Sequence, residues 1–481
     1  MSFVSACQST RSRREIEYLH PSPHPQMDLD EQFPLSPLDL VITRNYSTWA
    51  LIFKLDQAND SLSITQTLRR AIQATLAQCR HVVGTIEADG HGGFCILKRI
   101  GSTVPFVTNH LDGPSYADIK QSGFSSASLV DPTQYTIPGM TLASPCSPDA
   151  SPPVSGYQVA FIPGGFVFTV HVHHFAMDVT GINSLIQQIA DHSRALVHGT
   201  TPPEWNDAWM DRSRFNPPSI PQTECVDAPP PAPRHLDWKP CSWLLFSIPQ
   251  EKLTCLKHQA TSLTTTTDKW ISTYDALAAF LWRVLSRNRA KIYHPDLSAP
   301  AIFLESKLCS PVTPPIAPRY QGNLLCGGIS SLHTSPLTLH EVITPTTPLS
   351  TLAAFIRDLT NSVTEDTLKT ALTHTARIRD KSNLDMRLDS FPPMSVAVTD
   401  WRGADMCAVD FGFSSTGTGG RPTAARHVAD TVLENMVMIY PTRMGEVDVV
   451  VPFEAEYLDL LLRDEELATM AVFRGVEATK E

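Results

Sequence analysis

A chain of 481 residues, 42% hydrophobic and 18% charged, is globular and not disordered. It exceeds one ordinary core and suits two domains of about 200 residues each. Its net charge of −11 argues against nucleic acid or an anionic membrane surface as partner, while leaving room for a local basic pocket.

From the N-terminus, residues 1–32 are polar and carry Pro21, Pro23 and Pro25, which predicts a loosely held arm. Leu68, Ile72, Leu76 and Cys79 recur at helical spacing, which predicts an amphipathic helix over about 66–82. Asp89-Gly90 and Gly92-Gly93 mark a hairpin into Phe94-Cys95-Ile96-Leu97, and 143–156 reads as a surface loop. The longest apolar stretch, 157–172, is broken at Pro163-Gly164-Gly165, so it reads as a hairpin and not a membrane span. A helix from about Asn183 to Val197 follows, with Gly199 as its stop.

Proline then becomes dense over 202–234, which predicts a stiff, extended linker between an N-terminal domain at 1–201 and a C-terminal one at 235–481. Past it, a strand is expected at 242–248. Ser272-Thr273-Tyr274-Asp275 matches a capping box opening a helix that carries Leu277, Phe280, Leu281, Val284 and Leu285 on one face. Further strands are expected at 301–308 and near 394–399, 432–440 and 446–452, with a proline-rich turn at 311–318 and a last helix at about 453–465. Helices and strands mix throughout, which favours an α/β fold. The ten cysteines lack repeated spacing and read as free, mostly buried thiols. No apolar leader is visible, so a cytoplasmic monomer is expected.

The most informative run is His173-His174-Phe175-Ala176-Met177-Asp178. On the preceding strand Phe166, Phe168, Val170, Val172 and His174 share one face, and Val167, Thr169, His171 and His173 the other. His174 thus ends the apolar face, where a neutral imidazole can act as a general base. The competing readings are a buried structural histidine and a metal site. His173 and His174 face opposite sides and no HExxH or paired CxxC occurs, so no metal is expected. The chain also lacks a GxSxG elbow, a phosphate-binding P-loop and a convincing dinucleotide fingerprint.

These residues resemble the HHxxxD signature of CoA-dependent acyltransferases, and Asp410-Phe411-Gly412-Phe413 resembles the DFGWG block of the BAHD family. Other blocks of that family occur in order: Leu35-Ser36-Pro37-Leu38-Asp39, Ile271-Ser272-Thr273-Tyr274-Asp275-Ala276-Leu277, Tyr320-Gln321-Gly322-Asn323 and Val398-Thr399-Asp400-Trp401-Arg402. Phe413 in place of tryptophan looks most like the fungal branch related to trichothecene 3-O-acetyltransferase. The resemblance implies two chloramphenicol-acetyltransferase-like domains of mixed β-sheets and helices joined by a long crossover loop. It implies an acyl-CoA-dependent O-acyltransferase acting on a small secondary-metabolite alcohol. Acyl-CoA, acetyl-CoA above all, would be a co-substrate, with no permanently bound cofactor, no nucleic acid and no membrane partner.

By the same resemblance His174 is the general base, Trp401 the oxyanion donor and Asp178 the residue that holds the loop. Asp410 is carried over with the catalytic blocks, and Arg421, Ser272 and Thr273 as contacts to CoA. The resemblance leaves a condensation-type enzyme using a carrier-bound donor, or a degenerate metabolite-binding relative, as alternatives. Three departures stand out: Val179 where condensation domains have glycine, Ser414 after the DFGF block, and Glu305-Ser306-Lys307 in place of a family Arg-x-Arg. Because one of those arginines pairs with the HxxxD aspartate, Lys307 is expected to partner Asp178, unless a more distant arginine does so with Glu305 turned away.

Overall fold

The run Gly165–His173 forms a strand buried along its whole length. It pairs antiparallel with Ser155–Ile162 on one side and Tyr46–Lys54 on the other. Both edges are therefore paired, and its burial shows that both faces are covered. Phe166, Phe168, Val170 and Val172 enter the main core of this half, while Val167 packs in a second cluster on the reverse face. The computed structural model describes every residue except 1–12, 24–28, 57–59, 130, 145–149, 262–269, 310–314, 415, 444 and 481.

This strand lies inside a six-stranded sheet ordered Arg13–Leu19, Val104–His110, Ser155–Ile162, Gly165–His173, Tyr46–Lys54, Ala424–His427. A seven-stranded sheet carries most of the second half. Its order is Leu325–Ile329, Phe303–Leu308, Val396–Asp400, Met436–Ile439, Glu446–Glu454, Cys241–Pro249, Val472–Thr479. Both sheets mix parallel and antiparallel pairs. The helices Ser61–Gln78 and Val179–His198 bury their apolar faces in the first core. Thr273–Tyr293 and Leu349–Ser362 do so in the second. The architecture is the mixed α/β one expected, and Ser272 and Asp275 form the expected capping box. Among the described residues no helix is long and apolar enough to cross a membrane.

Several expectations need correction. The N-terminal arm contains two strands, Arg13–Leu19, held by antiparallel pairing with Val104–His110, and Glu31–Pro34, held by pairing with Phe94–Lys98. The strand expected at 446–452 runs on to Glu454, and the single helix expected after it is two short ones, Leu458–Leu462 and Glu465–Met470. An unexpected last strand, Val472–Thr479, closes the sheet edge with register shifts at Phe473/Gly475 and Val476/Ala478, and these irregularities blur its period. Residues 199–240 contain no α-helix and no strand. The chain division expected there is not clean. Ala404, Met406, Phe411, Phe413 and Ala425 return to the first core, and Ala424–His427 pairs with Tyr46–Lys54. Part of the 143–156 loop and of the 311–318 turn lies outside the described residues.

Arg289 ties the second sheet together. It is fully buried, pairs with Glu454 at 3.1 Å, and donates to the carbonyls of Ser395, Glu434 and Pro452. Arg289→Met should cost about 3–5 kcal/mol, because it strands a buried carboxylate. Chemical denaturation followed by circular dichroism measures this, and a loss below about 1 kcal/mol would make the pair dispensable.

Candidate active site

The chain leaves the central strand through a tight turn. The His174 N–H donates to the Asn45 carbonyl at 2.8 Å and the Ala176 N–H to the His173 carbonyl at 2.9 Å. His173 Nδ1 accepts the Phe175 N–H at 3.1 Å, and its ring meets Tyr46 edge-on at 5.3 Å. Burial pushes His173 down to about 3, so it is a neutral part of the turn. His174 is half-buried and borders a cavity of about 690 Å³. Its Nδ1 is sealed from solvent beside Asn323 without a hydrogen bond of standard geometry, which leaves Nε2 for the cavity. Burial lowers the imidazole below its ordinary value of 6.5 and keeps it neutral, with a free lone pair.

Asp178 sits behind this turn as the N-cap of the helix Val179–His198. It is fully buried, and three backbone N–H groups satisfy it: Thr180 at 2.8 Å, Gly181 at 3.1 Å and Leu324 at 2.6 Å. Gly181 lets the helix end approach the 322 loop, since a Cβ there would lie 2.8 Å from the Gly322 carbonyl oxygen. Burial pushes Asp178 up to about 6, against the pull of those donors.

The expected ion pair with Lys307 is absent. Lys307 donates to the Thr360 carbonyl at 2.8 Å, and Glu305 accepts from the Thr360 hydroxyl at 2.9 Å. Residues 305 and 307 share a strand face as expected, but that face meets the helix Leu349–Ser362 and not the histidine loop. Arg212 acts at one remove. Buried at 5% exposure, it pairs with Asp39 at 3.4 Å and donates to the Ala176 and Gln321 carbonyls. Asn323 completes the brace. Its amide donates to Asp39 at 2.9 Å and to the carbonyls of His174 and Phe175 at 3.0 and 3.2 Å. The sequence motifs contained Asp39 and Asn323 but gave them no role; Arg212 carried no signal in a proline-rich stretch.

The cavity is lined from both sheets, by Tyr46, Ser47 and His174 on one side and Ala397, Thr399 and Met438 on the other. Trp401 lies in its wall just after the strand Val396–Asp400, held edge-on to Trp49 at 5.0 Å and Tyr440 at 5.6 Å. His427 is a further wall residue that sequence reading missed. It pairs across to Trp49, and Trp49 to Val170, so it shares the sheet face that His174 ends. Burial, then nearby His174, pushes it down to about 4.

A transferase family model matches residues 14–467. Acetyltransferase FGR3 from Gibberella zeae is 36% identical over 97% of this chain and 95% of its own. The chain belongs to this transferase family, of the BAHD type, and is an acyltransferase. Trichothecene 3-O-acetyltransferase TRI101 from Fusarium sporotrichioides is 24% identical over 89% of this chain and 94% of its own. The crystal structure of F. graminearum TRI101 with coenzyme A and deoxynivalenol superposes with a TM-score of 0.76 at 21% identity, covering 92% of this chain and 100% of that one.

The remaining residues singled out from the transferase motifs lie off the cavity wall. Asp410 accepts the Gly412 N–H at 2.7 Å, and a Cβ at Gly420 would come within 2.5 Å of it, so it shapes a turn. Ser272 spends its hydroxyl on the Asp275 N–H at 3.1 Å. Arg421 is exposed, with its Nε on the Ala408 carbonyl at 3.1 Å.

Asp178→Asn should keep the cap to Thr180 and Gly181 but turn an amide donor against the Leu324 N–H. The expected loss is about 1–3 kcal/mol of stability, together with slower turnover. The folded-state pKa of about 6 lies above the 3.8 of the unfolded chain, so folding favours the protonated acid. The wild type therefore loses this contribution as pH rises from about 4 through 6, and the gap to Asp178→Asn should narrow over that window. Melting curves across pH test this, and a gap that widens would overturn it.

Proposed function

We propose that this acyltransferase moves an acetyl group from acetyl-CoA to a hydroxyl of a small secondary metabolite, with both substrates bound together. The observation that carries the reading is a single one. A neutral imidazole, fixed by its own turn, opens one nitrogen into a cavity large enough for a drug-sized molecule.

His174 Nε2 takes the proton from the acceptor hydroxyl as its oxygen attacks the thioester carbon. The tetrahedral oxyanion is met by the Trp401 indole N–H, which among the described residues has no protein acceptor. Collapse breaks the C–S bond, and the imidazolium returns the proton to the departing sulfur. Asp178 does not relay protons, because backbone donors occupy it; it fixes the turn on which His174 sits. Exposed Arg421 is the cation we assign to the CoA phosphates, with Ser272 and Thr273 as further contacts. The relatives named above come from fungi, which supports a role in fungal natural-product biosynthesis. We place the enzyme in the cytoplasm as a monomer, with no nucleic-acid or membrane partner.

Incubating the enzyme with acetyl-CoA and pooled alcohols, with mass spectrometry of the products, tests the reading. Transfer only from a carrier-bound thioester would move it to the condensation type. His174→Ala should abolish transfer with an unchanged melting temperature; retention of a tenth of the turnover would remove the assignment, since general bases contribute ~10²–10⁴-fold. Trp401→Phe should lower kcat by ~10-fold or more, with a smaller change in CoA affinity.

The acid limb of kcat/KM should fall with a midpoint below 6.5, because burial disfavours the charged imidazole. Asp178, at about 6, titrates nearby. The limb should persist in Asp178→Asn if it belongs to His174.

A further inference from the structure

One carboxyl group in the cavity wall has no part in acyl transfer. Glu305 is 4% exposed, and its Oε1 has no hydrogen-bond partner of standard geometry. Tyr274 lies close enough to favour the carboxylate, yet its hydroxyl likewise makes no hydrogen bond of standard geometry. Gly328, also in the wall, keeps side chains off Oε1: a Cβ there would sit 3.4 Å from it.

One oxygen of Asp275 and one of Glu434 likewise lack a hydrogen-bond partner, but every buried acid among the described residues other than Glu305 has a cation or several donors. Arg212 meets Asp39, Arg357 meets Asp275, Arg426 meets Asp448, Arg289 meets Glu454, Arg287 meets Asp464, and Arg234 and Lys480 meet Glu434. Asp178 has its backbone donors, and Glu477 has the Ser125 and Ser126 hydroxyls and a backbone N–H. Glu305 receives only the Thr360 hydroxyl in standard geometry, while Lys307 points its ammonium to a carbonyl. Burial pushes the Glu305 acid up to about 7. The described cavity wall contains no lysine or arginine, and its other titratable side chains are His174, His333, His427, Tyr46 and Cys326. An open acceptor site on a buried carboxyl is costly until a donor fills it.

We propose that Glu305 is an acceptor-recognition residue, accepting a hydrogen bond from a second polar group, an ammonium or hydroxyl, on an otherwise apolar acceptor and rejecting acceptors that carry a carboxylate. The inference rests on the acyltransferase reading of this cavity and adds the chemistry of the molecule it takes. A carboxylate ligand would face Glu305 with no cation in the wall to offset it.

Three probes share one tricyclic diterpenoid skeleton and differ only in their polar end: dehydroabietylamine, dehydroabietinol and dehydroabietic acid. Isothermal titration calorimetry at pH 8 should find the amine and the alcohol bound at least ~10-fold more tightly than the acid, a difference of about 1.4 kcal/mol. In Glu305→Gln, whose fold is checked by its melting curve, the amine and the acid should come within about threefold. Equal binding of amine and acid by the wild type, no binding of any probe, or the same order in Glu305→Gln would each overturn the proposal. The wild-type order alone tests it if the variant does not fold. Acetyl transfer from acetyl-CoA to the probes and to pooled alcohols is measured in parallel: the expected binding order with no transfer to any of them removes the proposed acetyl-CoA reading and leaves Glu305. Transfer with a binding order unaffected by the variant does the reverse.

Discussion

A buried carboxylate with no cation governs the geometry of this site. Asp178 must be met by donors, and among the described residues those that meet it are backbone N–H groups from two segments far apart in sequence, 180–181 and 324. Satisfying it sets the start of the helix Val179–His198 against the loop before Leu325–Ile329. Asp39 repeats the arrangement one layer away, with Arg212 and Asn323 as its partners. The His174 carbonyl is gripped by Asn323, so the base is placed by a polar brace that never touches its reactive nitrogen.

The electrostatics of the cavity follow from that separation. Arginines are spent in the brace and in buried pairs elsewhere, and none lines the described cavity wall. Desolvation is then the largest influence on the imidazoles, outweighing the Asn323 side chain at His174 and Asp430 at His427, and both are held neutral. A neutral base in an apolar chamber suits an acceptor that arrives uncharged at its reacting hydroxyl. Aromatic edges from Trp49, Trp401 and Tyr440 limit how that wall can move.

Local pattern made much of this legible. The strand Gly165–His173, the opposite facing of its last histidines and the Ser272 cap are written in consecutive residues. The motif blocks gave His174, Asp178 and Trp401 but not the contacts between blocks, because Asp39, Arg212 and Asn323 meet only after folding. Lys307 shows the limit. Its strand face was inferred correctly, but which element covers that face depends on the helix Leu349–Ser362, about which the 305–307 segment says nothing. His427 was invisible for a similar reason: nothing in Ala424-Ala425-Arg426-His427 indicates that it joins a sheet built from residues before 174.

That returning strand has a consequence for how the chain comes off the ribosome. The first sheet cannot be finished when its own half has been synthesised, because Tyr46–Lys54 waits for a neighbour nearly four hundred residues downstream. Until residue 427 emerges, the nascent chain carries an apolar sheet edge with unpaired amides, the kind of surface that chaperones bind and that otherwise self-associates. The two halves are thus committed to one another during synthesis.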